Sequence, residues 1–334
     1  MSEVFSREVV ASTMEELKIG SLSSATIGQM LSLAATLEQR SGIPFIRMDQ
    51  GIPGLPPCEI GLKAEKEALD RGVAALYPAA GGVPELKEQS ARFVKAFLDV
   101  DIAPESCLPT VGSVTGSFGS FAITSQLDPQ KDTILFIDPG FPIQKSQLVL
   151  LGIKYISFDV FEHRGEALRG KLEEILSVGN IAGVVYSSPN NPTWITFTDT
   201  ELQIIGELAT KYDTIILEDM AYFGMDSRVD YSQPFEAPYI PTVAKYTDNY
   251  ILFISGSKIY SYAGQRVAVA CVSDKLYNRC YPALATRYGG GGHFGITFTN
   301  AIMYMITSGV AHSVQFGLAA MFKASCDGEY NFVE

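Results

Sequence analysis

The sequence predicts an α/β fold: a mostly parallel central sheet with helices on both faces. From about Leu108 onward, short runs of apolar and β-branched residues alternate with segments of helical periodicity. Strands that are apolar throughout and separated by helices are typical of parallel sheets that are buried on both faces.

The predicted strands read, in chain order, TILFID, IKYISFD, IAGVVYSS, DTIILED, YILFIS and RVAVACVS. The segment FTDTELQIIGELATKY is typical of the helices between them, because Leu202, Ile205, Leu208 and Ala209 recur on one helical face. The first hundred residues differ, since they predict helices joined by irregular Gly- and Pro-rich segments. Pro84 suits the first turn of one of these helices, where a missing N–H is harmless.

Composition excludes several classes of function. The chain has 334 residues, of which 47% are hydrophobic, enough for a sizeable core, and no apolar run is long enough to span a bilayer. A formal charge of −12 without a basic cluster argues against nucleic acid or an anionic membrane as a partner. The 5 cysteines and 3 histidines lack metal-ligand spacing, so no metal site is predicted. Scattered, reduced thiols indicate the cytoplasm.

Lys258 lies in the polar sequence SGSK between two apolar strands. The hydroxyls of Ser255 and Ser257 and the guanidinium of Arg266 are groups that bind a phosphate dianion. A lysine that is desolvated beside such a site has a lowered pKa and becomes a nucleophile towards carbonyls. This pattern predicts pyridoxal phosphate held as a Schiff base on Lys258. The alternative is an ordinary solvated lysine in a strand-to-strand turn.

Pyridoxal phosphate also requires a carboxylate that keeps its ring nitrogen protonated. Asp219 ends an apolar strand and is followed by Tyr222, although aspartate also favours turns. Asn191 is a candidate donor to the ring oxygen, although Asn-Pro pairs are also common in turns. Phe141 is a candidate for stacking on the ring, or a core residue.

The sequence LPTVGSVTGSFGSFAI predicts a strand, a turn of small residues and a helix. The free N–H groups of a helix N-terminus bind anions, so the backbones of Ser113 and Val114 are candidate phosphate contacts. All of these candidates fall at the carboxyl ends of predicted strands, where open α/β sheets bind ligands.

The chain resembles the class I/II pyridoxal-phosphate aminotransferases of fold type I, the aspartate aminotransferase superfamily. The resemblance rests on MDQGIPGLPP, LYPAAGGVPELKE, DPGFP, SSPNNPT, EDMAYF and SGSKIYSYAGQR. It implies that Lys258 carries the cofactor and moves the proton of the substrate α-carbon, and that Asp219 pairs with the ring nitrogen. It also implies that Tyr222 and Asn191 bind the ring oxygen and that Phe141 stacks on the ring.

The resemblance further implies a homodimer with shared active sites. Tyr77 would reach the phosphate across the dimer interface, and the backbone of Gly51 would lie by the substrate carboxylate. The phosphate would be held by Ser255, Ser257, Arg266 and the turn at Ser113.

By the same resemblance, residues 1–50 contribute to a small domain, residues 51–310 form the cofactor-binding large domain, and residues 311–334 begin a C-terminal small domain that we expect to be truncated. The family's arginine for the substrate α-carboxylate has no match. Glycines and His293 replace a second arginine of aspartate-specific relatives, which argues against a dicarboxylate-specific enzyme.

The expected function is therefore transfer of an amino group between an amino acid and a 2-oxo acid. Two alternatives stay open. One is a β-lyase or decarboxylase of the same fold, which would use the same lysine and cofactor. The other is a non-catalytic module that binds pyridoxal phosphate for sensing or interaction.

Overall fold

The computed structural model describes residues 5–48 and 51–333. Within the predicted N-terminal segment 1–50, residues 1–4, 49 and 50 therefore lie outside the described residues. The chain divides into two compact units, Met1–Gly54 and Leu55–Glu334.

The first unit contains helices α1 (Arg7–Glu16) and α2 (Ile27–Ser41). Helix α2 begins with a reciprocal cap, in which the Thr26 side chain accepts from the backbone N–H of Gln29 and the Gln29 side chain accepts from the N–H of Thr26. The small core of this unit consists of Ile19, Leu33 and Leu37, with partly buried apolar side chains around them.

In the described part of the second unit, seven strands form one sheet, which confirms the predicted α/β class. Each predicted strand is present, including the short strand predicted at the start of LPTVGSVTGSFGSFAI. The strands are β1 (Cys107–Thr110), β2 (Thr133–Asp138), β3 (Lys154–Asp159), β4 (Ile181–Ser187), β5 (Ile215–Met220), β6 (Tyr250–Ser255) and β7 (Ala268–Val272).

The sheet is mostly parallel. Its strand order is β1-β7-β6-β5-β4-β2-β3, and all neighbouring pairs from β6 to β3 run parallel. Strand β7 runs antiparallel to both β6 and β1. It therefore begins at the edge of the sheet where the other strands end, and this reversal brings the residues before β7 to the same edge.

Helices cover both faces of the sheet, and they lie before, between and after its strands along the chain. Four lie before or between the first strands: α3 (Glu59–Asp70), α4 (Pro84–Leu98), α5 (Gly112–Thr124) and α6 (Pro142–Leu151). The next are α7 (Ala167–Leu176), α8 (Asp199–Lys211) and α9 (Gly256–Ile259). The last are α10 (Asp274–Asn278), α11 (Pro282–Tyr288), α12 (Phe294–Thr297), α13 (Tyr304–Thr307) and α14 (His312–Cys326), with a π-helical stretch, Phe298–Met303, between α12 and α13.

Two apolar cores lie on opposite faces of the sheet, because successive side chains of a strand point to opposite sides. On β4, Val184 belongs to one core and Val185 to the other. On β6, Leu252 and Ile254 face the first core, whereas Phe253 faces the second. This double burial explains why these strands read as continuous apolar runs.

Helix α14 packs against α3 and α4 within the second unit. Its buried Gln315 accepts a hydrogen bond from the N–H of Val83 at 2.9 Å and donates one to the carbonyl of Val310 at 2.9 Å. The assignment of residues 311–334 to the start of a further domain stays a prediction. No helix among residues 5–48 and 51–333 combines the length and apolar character that crossing a membrane requires.

Candidate active site

The candidate site lies along one edge of the sheet. Strands β1, β2, β4, β5 and β6 all end there, and the loops after them bear the residues that the sequence analysis selected. Since β7 is reversed, Arg266 reaches the same edge from just before the start of a strand. Ligands of open α/β sheets bind at the carboxyl ends of the strands, so the site lies where the fold favours one.

Lys258 lies on α9, the single helical turn that follows β6, whereas the sequence analysis placed it in a strand-to-strand turn. The side chain of Ser255 caps this helical turn by accepting from the N–H of Ser257 at 3.1 Å. Lys258 is half-buried, and burial lowers the pKa of its ammonium, with the positive charge of Arg266 adding to the effect. A lowered pKa makes more of the neutral, nucleophilic amine available near neutral pH.

Asp219 is buried near the end of β5. Its Oδ2 atom accepts a hydrogen bond from Gln144 Nε2 at 3.0 Å, and its Oδ1 atom accepts one from the N–H of Ala221 at 3.1 Å. Burial raises the pKa of this carboxyl to about 6, although the bonds from Ala221 and Gln144 oppose the rise. Above that pH the chain holds an oriented carboxylate in a dry position.

Gln144 was missed by the sequence analysis. It lies in the first turn of α6 and is only 5% exposed. A single glutamine on a helix is usually solvated, and nothing in its neighbourhood in the sequence marks it as a partner of Asp219. The sequence made Phe141, immediately before α6, a candidate, but it gave no such signal for Gln144.

Glu218 precedes Asp219 on β5 and points to the opposite face of the sheet. Its Oε2 atom accepts from the Thr242 hydroxyl at 2.7 Å and from the N–H of Val243 at 3.1 Å. Complete burial raises the pKa of Glu218 to about 7. The two carboxyls are thus adjacent in sequence, but only Asp219 faces the site.

A compact corner for an anion forms at the start of α5. Gly112 has a φ of +69°, and a Cβ atom placed on it would lie 2.5 Å from Nη2 of Arg266, so the guanidinium rests directly against this turn. Ser113 has a buried hydroxyl oxygen with no hydrogen-bond partner in the described part of the chain. The first backbone N–H groups of α5 also have no acceptors within the helix, as at any helix start. Val114 lies in this same turn.

The hydroxyl of Ser255 also donates to the hydroxyl of Ser257 at 2.9 Å. Ser255 is buried and serves as the cap of α9, whereas Ser257 is half-buried and retains its own hydroxyl proton for donation. Their predicted contacts with a phosphate stay predictions.

Tyr222 and Asn191 follow β5 and β4, respectively. Tyr222 is half-buried; burial raises the pKa of its hydroxyl, and the charge of Asp219 adds to the rise. Lys258 Nζ lies 5.8 Å from the centroid of the Tyr222 ring, and the ring of Trp194 meets Tyr222 edge-on at 5.3 Å and 70°. The N–H of Asn191 donates to Ser187 Oγ at 3.3 Å, which anchors its loop to the end of β4.

Phe141 is half-buried at the start of α6, and its stacking role stays a prediction. Tyr77 is 88% exposed, so residues 5–48 and 51–333 leave its side chain largely uncovered. Its predicted contact across a dimer interface stays a prediction. Gly51 lies in the first unit, and its predicted role near a substrate carboxylate also stays a prediction.

The residues at this edge fit pyridoxal phosphate. Two groups suit a phosphate: the buried hydroxyl of Ser113, which has no partner among the described residues, and the guanidinium of Arg266, which rests against Gly112. The buried carboxylate of Asp219 suits a protonated ring nitrogen, and the half-buried amine of Lys258 suits an aldehyde. By contrast, no group of three or more potential metal ligands occurs among residues 5–48 and 51–333.

Comparison with known proteins leads to the same class. The family model for aminotransferase class I and II matches residues 43–294, well over half of the chain. The chain belongs to this family, whose members use pyridoxal 5'-phosphate.

Among its relatives, an aspartate aminotransferase of Thermotoga maritima is 29% identical over 240 residues, and a probable aspartate aminotransferase of Methanocaldococcus jannaschii is 26% identical over 231 residues. The matches cover 71% and 69% of this chain but only 60% and 58% of the respective relatives. A crystal structure of an aminotransferase from Mycobacterium tuberculosis superimposes with a TM-score of 0.73 at 21% identity, covering 92% of this chain and 73% of that one, which shows a shared fold.

Proposed function

We propose that the protein is a pyridoxal-phosphate-dependent aminotransferase that moves an amino group between an amino acid and a 2-oxo acid. The observation that supports this most is the meeting of three groups at one sheet edge: Lys258 with its lowered pKa, the buried Asp219 carboxylate, and the corner formed by Gly112 and Arg266. Each of these groups matches a different part of the cofactor: the aldehyde, the ring nitrogen and the phosphate, respectively.

Pyridoxal phosphate supplies an aldehyde that condenses with amines and a ring that withdraws electrons from the substrate α-carbon. The residues that would hold it are those at the edge of the sheet. The α5 turn with Ser113, the hydroxyl of Ser257 and the guanidinium of Arg266 would bind the phosphate, and Asp219 would bind the ring nitrogen. Asn191 and Tyr222 would donate to the ring oxygen, with Phe141 against the ring face.

The protein's own contribution is to orient these groups and to move protons. Gln144 and the N–H of Ala221 together fix both oxygens of Asp219, so the carboxylate needs no reorganisation when the ring nitrogen acquires charge. Burial and the charge of Arg266 shift Lys258 towards its neutral form. Its Nζ would then take the proton from the substrate α-carbon and return it to the adjacent position.

The proposal includes a homodimer in which Tyr77 of each subunit reaches the phosphate of the other. The high exposure of Tyr77 supports it, because an aromatic side chain on the surface is typical of an interface. It also includes the division into a large domain at 51–310 and small-domain segments at 1–50 and 311–334. We propose the cytoplasm as the compartment, which the free thiols of the described cysteines support.

The test begins with the absorbance spectrum of the purified protein with pyridoxal phosphate, before and after addition of a panel of amino acids. Borohydride reduction followed by peptide mapping then identifies the lysine that bears the cofactor. Lys258→Ala is expected to lose both the bound-cofactor spectrum and turnover, whereas Lys245→Ala, which changes a lysine outside the site, is expected to keep them.

Product analysis separates transamination from its rivals. A new amino acid formed from an added 2-oxo acid supports the proposal. Pyruvate with ammonia, or carbon dioxide, would identify a β-lyase or a decarboxylase instead. Turnover by Lys258→Ala at the rate of the unmodified protein would refute the role of this lysine altogether.

A further inference from the structure

A cavity adjoins the candidate active site. Its volume is about 470 Å³, within the range of small-molecule sites. It is built mainly from two stretches of chain: residues 188–198, which include Asn191, and residues 224–241, which follow Tyr222. The proposed reaction uses none of the groups that line it.

Apolar and aromatic side chains form about half of the walls of this cavity. Two short stretches of chain supply most of this surface, and the side chains that matter here are Pro189, Trp194, Phe197, Val229, Tyr231 and Ile240. Apolar walls with a few oriented polar groups are the usual composition of a site for a small organic ligand.

The polar part of the lining consists of hydroxyls, the carboxylate of Asp226 and two guanidiniums that meet at Thr196. Arg164 uses Nε and Nη2 to bind Glu201 at 2.6 and 2.9 Å, and Nη2 also donates to the carbonyl of Thr196 at 2.9 Å. Arg228 uses Nε and Nη2 to bind Asp226 at 2.8 and 2.7 Å, and Nη2 also donates to the hydroxyl of Thr196. Each guanidinium is therefore held in a fixed orientation.

The remaining donors of both arginines are their Nη1 atoms, which make no hydrogen bond with the described residues. The two groups also lie close enough to interact: Glu201 raises the pKa of Arg164, and the charge of Arg228 opposes that rise. Two fixed N–H donors of adjacent guanidiniums match the two oxygens of a carboxylate.

Trp194 forms the wall between the cavity and the candidate active site. Its ring lines the cavity, is 45% exposed, and meets the ring of Tyr222 edge-on. Its φ of +61° lies in the left-handed region that bulky side chains rarely adopt, and its N–H is anchored to the carbonyl of Asn190 at 2.9 Å. Strained backbone conformations of this kind concentrate at functional sites, because their energetic cost otherwise selects against a bulky residue at the position.

We propose that this cavity is a second ligand site, which binds a monocarboxylate with an aromatic or branched apolar body. The carboxylate accepts from Nη1 of Arg164 and Arg228, and the body packs against Trp194. The site is formed by the protein alone and does not depend on the cofactor, so it can be tested independently of the proposed function.

Trp194 is the only tryptophan in the sequence and therefore reports on this cavity directly. The cofactor-free protein is titrated with phenylacetate while Trp194 fluorescence is excited at the red edge of indole absorption. A saturable change is expected with phenylacetate, and a much weaker one with benzyl alcohol, which lacks the carboxylate, or with succinate, which lacks the apolar body. A response equal to that of free N-acetyltryptophanamide would overturn the proposal.

Arg228→Gln tests the carboxylate contact, because Arg228 is the more exposed of the two arginines and its loss leaves the Arg164–Glu201 pair intact. Loss of one charge-assisted hydrogen bond is expected to weaken phenylacetate binding about tenfold. Arg169→Gln is the matched control, since Arg169 has a similar pairing with Glu207 at 2.9 Å but does not line the cavity. Equal affinity of the two variants, both shown by circular dichroism to be folded, would refute the assignment.

Discussion

Gln144 Nε2 lies 3.0 Å from Asp219 Oδ2 and donates a hydrogen bond to it, with both side chains buried. The two residues stand on different elements, the first turn of α6 and the end of β5. A buried carboxylate with a directed neutral donor keeps a defined orientation while it remains available as an acceptor. The pair therefore holds the buried carboxylate of the candidate site in place.

Replacing Gln144 by Leu is expected to raise the pKa of Asp219 further, because the lost hydrogen bond favours the ionised form. The acidic limb in the pH dependence of the bound-cofactor absorbance should then move to higher pH. Gln203→Leu is the control, since Gln203 is exposed on α8 and bonds only to Glu207 among the described residues. Identical pH profiles for the two variants would contradict the role of Gln144.

Asp219→Asn is expected to stabilise the cofactor-free protein above pH 6. Burial raises the pKa of Asp219 from 3.8 to about 6, so the folded state binds the proton more tightly and ionisation destabilises it. The difference in free energy of unfolding between Asp219→Asn and the unmodified protein should grow between about pH 4 and pH 6 and reach up to about 3 kcal/mol. Urea unfolding at pH 4 and pH 8 measures it, and a gap that does not change with pH would refute the mechanism.

Glu218→Gln should show a similar stability effect without an effect on the cofactor. Burial raises the pKa of Glu218 from 4.5 to about 7, so the stability of the unmodified protein falls as pH rises through that interval. Its contacts with Thr242 and Val243 lie on the face of the sheet opposite to Asp219. Titration with pyridoxal phosphate should give the same affinity for Glu218→Gln as for the unmodified protein. If Glu218→Gln weakened cofactor binding as much as Asp219→Asn does, the two carboxyls would not have separate roles.

Gly112→Ala is expected to disrupt the anion corner. The added Cβ would approach Arg266 Nη2 to 2.5 Å, and a φ of +69° costs a non-glycine residue about 1–2 kcal/mol. Weaker binding of pyridoxal phosphate and lower stability to urea should follow together. Gly170→Ala on α7 is the control, because nothing lies within 4 Å of its added Cβ, and it should gain about 0.5–1 kcal/mol. Unchanged cofactor affinity in Gly112→Ala would argue against the corner.

Arg266→Gln is expected to raise the pKa of Lys258, because the charge of Arg266 lowers it in addition to burial. Less of the amine is then neutral at a given pH, so reductive trapping of a simple aldehyde on Lys258 should require a higher pH. Mass spectrometry of the trapped peptide across a pH series measures this shift. Arg169→Gln should leave the profile unchanged, and a profile that also stays unchanged in Arg266→Gln would contradict the coupling.

Much of the fold was predictable because its signals are local. A strand such as Tyr250–Ser255 is apolar throughout, and a helix such as Asp199–Lys211 repeats its apolar residues on one face, so the chain's own periodicity indicates both. The same periodicity places Lys258 just after the strand Tyr250–Ser255, but it does not predict the helical backbone conformation of Lys258. The periodicity of SGSK does not distinguish a loose turn from the capped helical turn that the structure shows.

The sequence by itself determined the α/β class, the order of the strands along the chain and the candidate residues at their ends. Only the tertiary structure decided which distant residues meet: Gln144 and Asp219 are 75 positions apart, and the Arg266 guanidinium rests against Gly112 because β7 runs against its neighbours. The cavity beside Trp194 likewise arises where two separate loops meet. Periodicity acts within a few residues, whereas buried contacts between distant segments depend on how the sheet brings its strand ends together.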